Sequence, residues 1–122
     1  MRRWILAGAL ICACAHVRSA PGNLDWGAAV FSEHCARCHG GRGEGTVDGP
    51  VLIGRTALPH APRSGARVRT TRFDTIDEIS NFVRENMPAD APGTLRPDEY
   101  DAVVAYCLAA NQVSAHERRS GQ

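Results

Sequence analysis

Leu24, Ala28 and Phe31 recur at helical spacing, with Asp25 near the start, where the helix dipole favours an anion. This first helix is expected to end at the glycine-rich run GGRGEGTVDGP, residues 40–50. From residue 40 to residue 72 neither a helical nor a strand period is sustained, and turn residues and Arg dominate. So long an unpatterned stretch inside a small domain reads as an irregular loop wrapped around something. A second helix is signalled at Thr75, where Glu78 three residues on completes a capping box and Ile76, Ile79 and Val83 share one face. Pro88 ends it and pushes Met87 into an extended conformation. After the linker PADAPGTLR, a last helix begins near Pro97, with Tyr100, Val103, Val104, Cys107 and Leu108 on its buried side. Arg96 falls at its N-cap, a choice expected to forgo about 1 kcal/mol of capping. The pattern predicts an all-α domain with three main helices and long loops. Beyond Asn111 the polar tail has no apolar face to bury.

Composition narrows the picture. A chain of 122 residues, with 12 Gly and 7 Pro, makes one loop-rich domain with a small core that calls for some hold besides apolar burial. All 14 cations are Arg and 13 residues are acidic, so no global charge attracts nucleic acid or an acidic membrane face.

The first residues, MRRWILAGALICACAHVRSAPGN, place two Arg before an apolar run from Trp4 to Ala15, followed by small residues. That is the form of a secretory signal peptide, and the run falls short of the ~20 residues that span a bilayer. Residues 1–19 are therefore read as leader, 20–112 as the folded domain and 113–122 as a disordered tail. Cleavage after Ala13-Cys14-Ala15 or after Val17-Arg18-Ser19 would fit. Ile11-Cys12-Ala13-Cys14 is a poor lipoprotein box that would leave a lipid on Cys14, the one route by which this reading puts the chain on a membrane. Without the leader, Cys35, Cys38 and Cys107 remain, and an odd number argues against a simple disulfide framework.

Cys35-Ala36-Arg37-Cys38-His39 is the form of a covalent attachment site for c-type haem. Two thiols three residues apart can meet two vinyl groups on one porphyrin edge, and the adjacent imidazole then lies under the ring, where it can bind iron. Attachment outside the cytoplasm agrees with the leader, and the tether supplies the missing hold. A zinc site would want a second spaced pair of ligands, and a redox dithiol a βαβ setting; the sequence offers neither. Apart from the initiator, Met87 is the only Met; it stands 48 residues after His39, at the junction before Pro88. It can be a gap-filling core residue, or a sulfur fixed over a haem face. A Met/His pair gives a raised potential.

With Gly27 and Phe31 ahead of CARCHG, then Asp48-Gly49-Pro50, Asn86-Met87-Pro88 and LRPDEYDAVVAYCLAAN, the sequence resembles a class I monohaem bacterial c-type cytochrome. It is similar to small periplasmic members that accept electrons from dehydrogenases, quinoproteins among them. The resemblance implies the cytochrome c fold around one covalently attached haem c, with Cys35 and Cys38 as anchors and His39 and Met87 as iron ligands. It implies that Gly27 and Phe31 pack the first helix on the last near Tyr106, and that the Pro50 carbonyl accepts a hydrogen bond from His39 and sets its tautomer. The implied function is a periplasmic one-electron carrier between a dehydrogenase and a terminal oxidase or another cytochrome. No catalytic acid, base or nucleophile stands out, so an enzyme is not expected. The competing reading is a haem subunit of an oxidoreductase, or a haem enzyme of peroxidase or thiosulfate-oxidising type.

Three features depart from the resemblance, the first being Arg96 where a Thr or Ser is usual. Cys107 replaces an aliphatic residue and reads as a small buried hydrophobe, on a helix packed away from the open haem face. Between Asp48 and Asp74 the Arg-rich segment carries Arg55, Arg63, Arg67, Arg69 and Arg72 without an acid, whereas Asp74 to Asp101 is mostly acidic. The basic loop is either a solvated face, a partner for haem propionates or a dock for an acidic protein. His60 and His34 read as surface residues.

Overall fold

The computed structural model of the chain describes residues 24–113. The leader and nearly all of the tail lie outside the described residues. Four helices appear in the order α1 (Leu24–His34), α2 (Ala36–His39), α3 (Ile76–Asn86) and α4 (Pro97–Ala110), with no strand among the described residues. Among the described residues the fold is therefore all-α, as expected. The first expected helix is in fact two: the chain turns at Cys35, which leaves α2 as one separate turn carrying the Cys-x-x-Cys-His residues.

α1 and α4 form the principal helix pair. The α1 stripe Gly27, Val30 and Phe31 is buried, and the bare Gly27 backbone lies against Ala102 of α4 and 2.6 Å, measured from an added Cβ, from the Tyr106 Cβ. Phe31 is 1% exposed and tilts against Tyr106 at 5.6 Å between ring centroids. The helix contact expected of Gly27, Phe31 and Tyr106 is thus present. α4 feeds two apolar clusters: Val103 joins Val30 and Phe31, while Val104 and Leu108 join Leu58, Phe73 and Ile79. Each such side chain buried contributes about 1.5–3 kcal/mol before entropy is counted.

Both later helices begin where expected. The Thr75 hydroxyl accepts from the Glu78 amide at 3.2 Å and the Glu78 carboxylate accepts from the Thr75 amide at 2.8 Å. α3 stops at Met87, which is extended (φ −123, ψ 150). At α4 the Glu99 carboxylate accepts the Arg96 amide at 2.8 Å, so the poor N-cap residue is partly compensated from the third helical position. The Arg96 guanidinium pairs with Asp98 and sits 5.9 Å from the Trp26 ring. Asn111, just past α4, is a junction. Its amide donates to the Leu52 carbonyl at 2.8 Å and the Cys107 carbonyl at 2.7 Å, and its oxygen accepts from Gly54 at 2.9 Å.

Candidate haem-binding site

The turn at Cys35 builds the first half of the site. The Cys35 amide still bonds to the Phe31 carbonyl at 2.9 Å, and its own carbonyl accepts from Cys38 at 3.1 Å and His39 at 3.0 Å. One helical turn therefore presents both thiols and the imidazole together, since positions three and four apart share a face. Its last carbonyls are taken up by the glycine-rich loop: Thr46 Oγ1 donates to Cys38 at 2.5 Å and the Gly45 amide to His39 at 2.7 Å. Gly49 lets that loop close in, because a Cβ there would lie 2.7 Å from the Cys38 carbonyl and 2.9 Å from His39 Nδ1.

His39 is 8% exposed, and its Nδ1 lies 2.8 Å from the Pro50 carbonyl oxygen. A carbonyl can only accept, so Nδ1 carries the proton and Nε2 keeps its lone pair for a metal. Cys35, Cys38, His39 and Met87 all line one cavity of about 430 Å³. Much of the remaining wall is apolar, including Phe31, Leu52, Ile79, Phe82, Val104 and Leu108. The set fits a haem: a greasy slot of ligand size, two thiols on one helical turn, an imidazole in the metal-binding tautomer and a thioether. Among the described residues no group of three or more His, Cys, Asp or Glu gathers as a site for a bare metal ion.

Met87 is half-buried, and both its backbone polar groups are engaged. Its amide donates to Val83 at 3.0 Å, and its carbonyl accepts from the Tyr100 hydroxyl at 2.7 Å. Arg37, between the two cysteines, forms an ion pair with Asp90 just beyond Met87, and so ties α2 to the Met87 segment. Neither contact was legible in the sequence, because Arg37 and Asp90 lie far apart along the chain and Tyr100 reads simply as a core aromatic.

Cys107 packs in the apolar core as expected, but not away from the haem cavity. It packs beside Val30, Phe31 and Val103, and it also lines the haem cavity, as Cys35 does. The reason is that the cavity reaches down to the α1–α4 seam. Burial pushes the Cys107 thiol up to about 12, with Cys35 adding to the shift. Burial, then Cys38, pushes Cys35 up to about 11. His34 likewise lines the cavity and is only half-buried, 3.8 Å from Glu33.

The basic loop is held by its own arginines. Arg63 donates to the Thr56 carbonyl, and Arg69 to the carbonyls of Thr71 at 2.9 Å and His60 at 2.5 Å, while its guanidinium covers the Phe73 ring at 3.5 Å. Arg72 donates twice to Asp74, at 2.7 and 3.0 Å, and His60 Nδ1 lies 2.9 Å from the same carboxylate. These contacts keep Asp74 well below the usual carboxylate range, at about 2, with Arg72 the larger cause. Arg67 makes no hydrogen bond or ion pair with the described residues, and it lines the cavity beside Val68.

Residues 22–107 match the family described as cytochrome c oxidase, cbb3-type, subunit III. A search of curated proteins finds no match. Among solved structures, the chain is similar to the sulfane dehydrogenase SoxCD from Paracoccus pantotrophus, with 28% identity and a TM-score of 0.57. That match covers 76% of this chain and 45% of the other. A second likeness, to the thiosulfate dehydrogenase TsdBA from Marichromatium purpuratum in its as-isolated form, has 33% identity and a TM-score of 0.48 over 70% of this chain and 18% of that one. The chain thus spans less than half the length of either structure.

Proposed function

From the premise that this chain belongs to the c-type cytochrome family described as cytochrome c oxidase, cbb3-type, subunit III, and therefore carries covalently bound haem c and serves electron transfer, we propose that it is a periplasmic one-electron carrier in which His39 and Met87 would hold the iron. Cys35 and Cys38 are the thioether anchors in this reading. The observation that carries it is the convergence of both thiols, the His39 imidazole and the Met87 side chain on one apolar cavity. A haem held there by Cys35, Cys38, His39 and Met87 would supply one-electron redox chemistry.

The protein's part is to make that exchange cheap in reorganisation. The Pro50 carbonyl fixes the Nδ1 proton of His39, so Nε2 is presented in one tautomer and one orientation. The apolar wall keeps water from the metal, and a thioether ligand favours the reduced state. Export, with residues 1–19 as leader and 20–112 as the mature domain, agrees with a site that is assembled outside the cytoplasm. Among the described residues no helix is long and apolar enough to cross a membrane. The partners proposed are those the family resemblance implies: a dehydrogenase, quinoproteins included, as donor, and a terminal oxidase or another cytochrome as acceptor. Val47, 94% exposed, and Val68, 45% exposed, border the cavity beside the unpaired Arg67, a rim suited to an acidic partner face.

A second reading has its own support. The likeness to the sulfane dehydrogenase structure covers only part of that chain, which favours a haem module working inside a larger oxidoreductase. Co-purification separates it from a diffusing carrier. The ligand assignment is tested by the optical spectrum of the matured protein. Oxidised wild type should show the weak near-infrared Met-to-Fe(III) band and Met87→Leu should lose it; a band retained in Met87→Leu sinks the His39/Met87 reading.

A further inference from the structure

We propose that Tyr100 is the positioning residue for Met87, holding the ligand segment by its backbone without touching the haem. This rests on the reading of Met87 as an iron ligand. Tyr100 sits in the second turn of α4, is 4% exposed and is not part of the cavity wall. Its hydroxyl donates to the Met87 carbonyl at 2.7 Å, while the Met87 amide donates to Val83 of α3 at 3.0 Å. One residue is thereby pinned from both sides, by the end of α3 and by the face of α4.

The pinning matters because little else fixes this stretch. Past Met87 the chain runs through turns to α4, held by the Ala91 amide on the Pro88 carbonyl, the Thr94 hydroxyl on the Ala91 carbonyl, and the exposed Arg37–Asp90 pair. An exposed ion pair contributes little to position. A tyrosine hydroxyl directed from a buried ring is different: its donor geometry is set by the packing around the ring, and the half-buried carbonyl that accepts it loses its partner if the hydroxyl goes. A phenylalanine would fill the same buried space, so what the tyrosine adds is the hydrogen bond. That bond stabilises the arrangement with Met87 in the cavity wall over one in which the segment has swung away. Its loss should shift that equilibrium about tenfold.

The experiment uses the oxidised haem-loaded protein and imidazole, which competes with Met87 for the metal. Tyr100→Phe should bind imidazole about tenfold more tightly than wild type and show a weaker near-infrared Met-to-Fe(III) band. Val30→Ala, in the α1–α4 core but outside the cavity wall, provides a variant that is destabilised without touching the clamp. It should leave imidazole affinity at the wild-type value. Equal imidazole affinity in wild type and Tyr100→Phe overturns the proposal, as does a gain in Val30→Ala matching that in Tyr100→Phe. Met87→Leu keeps the two failures apart. If it loses the band while Tyr100→Phe behaves as wild type, only the clamp is wrong; if it keeps the band, the ligand reading and the clamp fall together.

Discussion

The haem cavity has two walls, and they are built by different means. Along α1 and α4 the cavity side chains Phe31 and Val103 are backed by an apolar seam, in which Gly27 allows backbone contact, Phe31 meets Tyr106, and Val30 closes the core behind the wall. Across from helical structure altogether, residues 40–75 hold their shape with polar staples, chiefly guanidinium groups on carbonyl oxygens and a shared carboxylate at Asp74. Apolar interlocking is non-directional and fails only when volume changes, whereas a staple depends on one donor reaching one acceptor. The helical wall should therefore be sensitive to added bulk along its seam, whereas the loop should tolerate bulk except where it closes on α2, as at Gly49, and should depend elsewhere on the identity of a few side chains.

The sharpest way to break that contrast is to add volume to a glycine of the α1–α4 seam and to an open glycine of the loop. A Cβ at Gly27 meets the Ala102 carbonyl and the Tyr106 Cβ, neither of which is the free end of a flexible side chain. Gly27→Val must lift α1 from α4 and should cost about 3 kcal/mol or more. A Cβ at Gly41 meets nothing within 4 Å, so Gly41→Ala should stay within about 0.5 kcal/mol of wild type. Urea midpoints measure both. Similar losses in the two variants would show that the walls do not differ in this way.

The same contrast explains what the sequence disclosed. α3 and α4 were legible because apolar period, capping box and proline all agreed at Thr75, Met87 and Pro97. The chemistry was legible because Cys35, Cys38 and His39 are local, and their geometry needs only one helical turn. The resemblance carried the rest of what was foreseen: the Pro50 carbonyl on His39 and the Gly27 contact. The separate turn α2 was missed, since nothing in the apolar period marks a bend at Cys35. Cys107 was rightly put on the buried face of α4, but its part in the cavity wall was missed, because a helix period gives the buried face and not how far a cavity extends beneath it. The loop was illegible in a stricter sense. Five arginines read as a charged surface, and no local rule says that Arg69 caps carbonyls and covers Phe73 while Arg67 stays unpaired.

That difference between neighbouring arginines gives a second, smaller test. Arg69→Ala removes two hydrogen bonds and a cation–π contact and should cost about 1–2 kcal/mol, seen as a lower urea midpoint. Lys at that position cannot reproduce the fork that reaches both carbonyls. Arg67→Glu should leave the midpoint within about 0.5 kcal/mol, yet slow electron exchange with an acidic partner at low salt, an effect that added salt removes. If Arg67→Glu unfolds the loop, or if its rates match wild type at low salt, the division into staple and docking arginine is wrong.

The smallest effect concerns Asp74, where the loop's staples meet. Its carboxyl titrates at about 2, below the ordinary 3.8, because Arg72 and then His60 hydrogen-bond to the ionised form. A depressed folded value means that the stabilisation is fully present above the unfolded value and drains away as pH falls through the folded one. The loop should therefore keep its staples at neutral pH and at pH 5, and lose this contribution between about pH 4 and pH 2. Carbon-13 detection of the Asp74 carboxyl group in the haem-loaded protein should give a midpoint near 2 in wild type. In Arg72→Ala the midpoint should move toward 3.8, since the larger of the two donors is gone. A wild-type midpoint already near 4 would mean that the carboxylate is solvated and the loop wall is held by its arginine–carbonyl contacts alone.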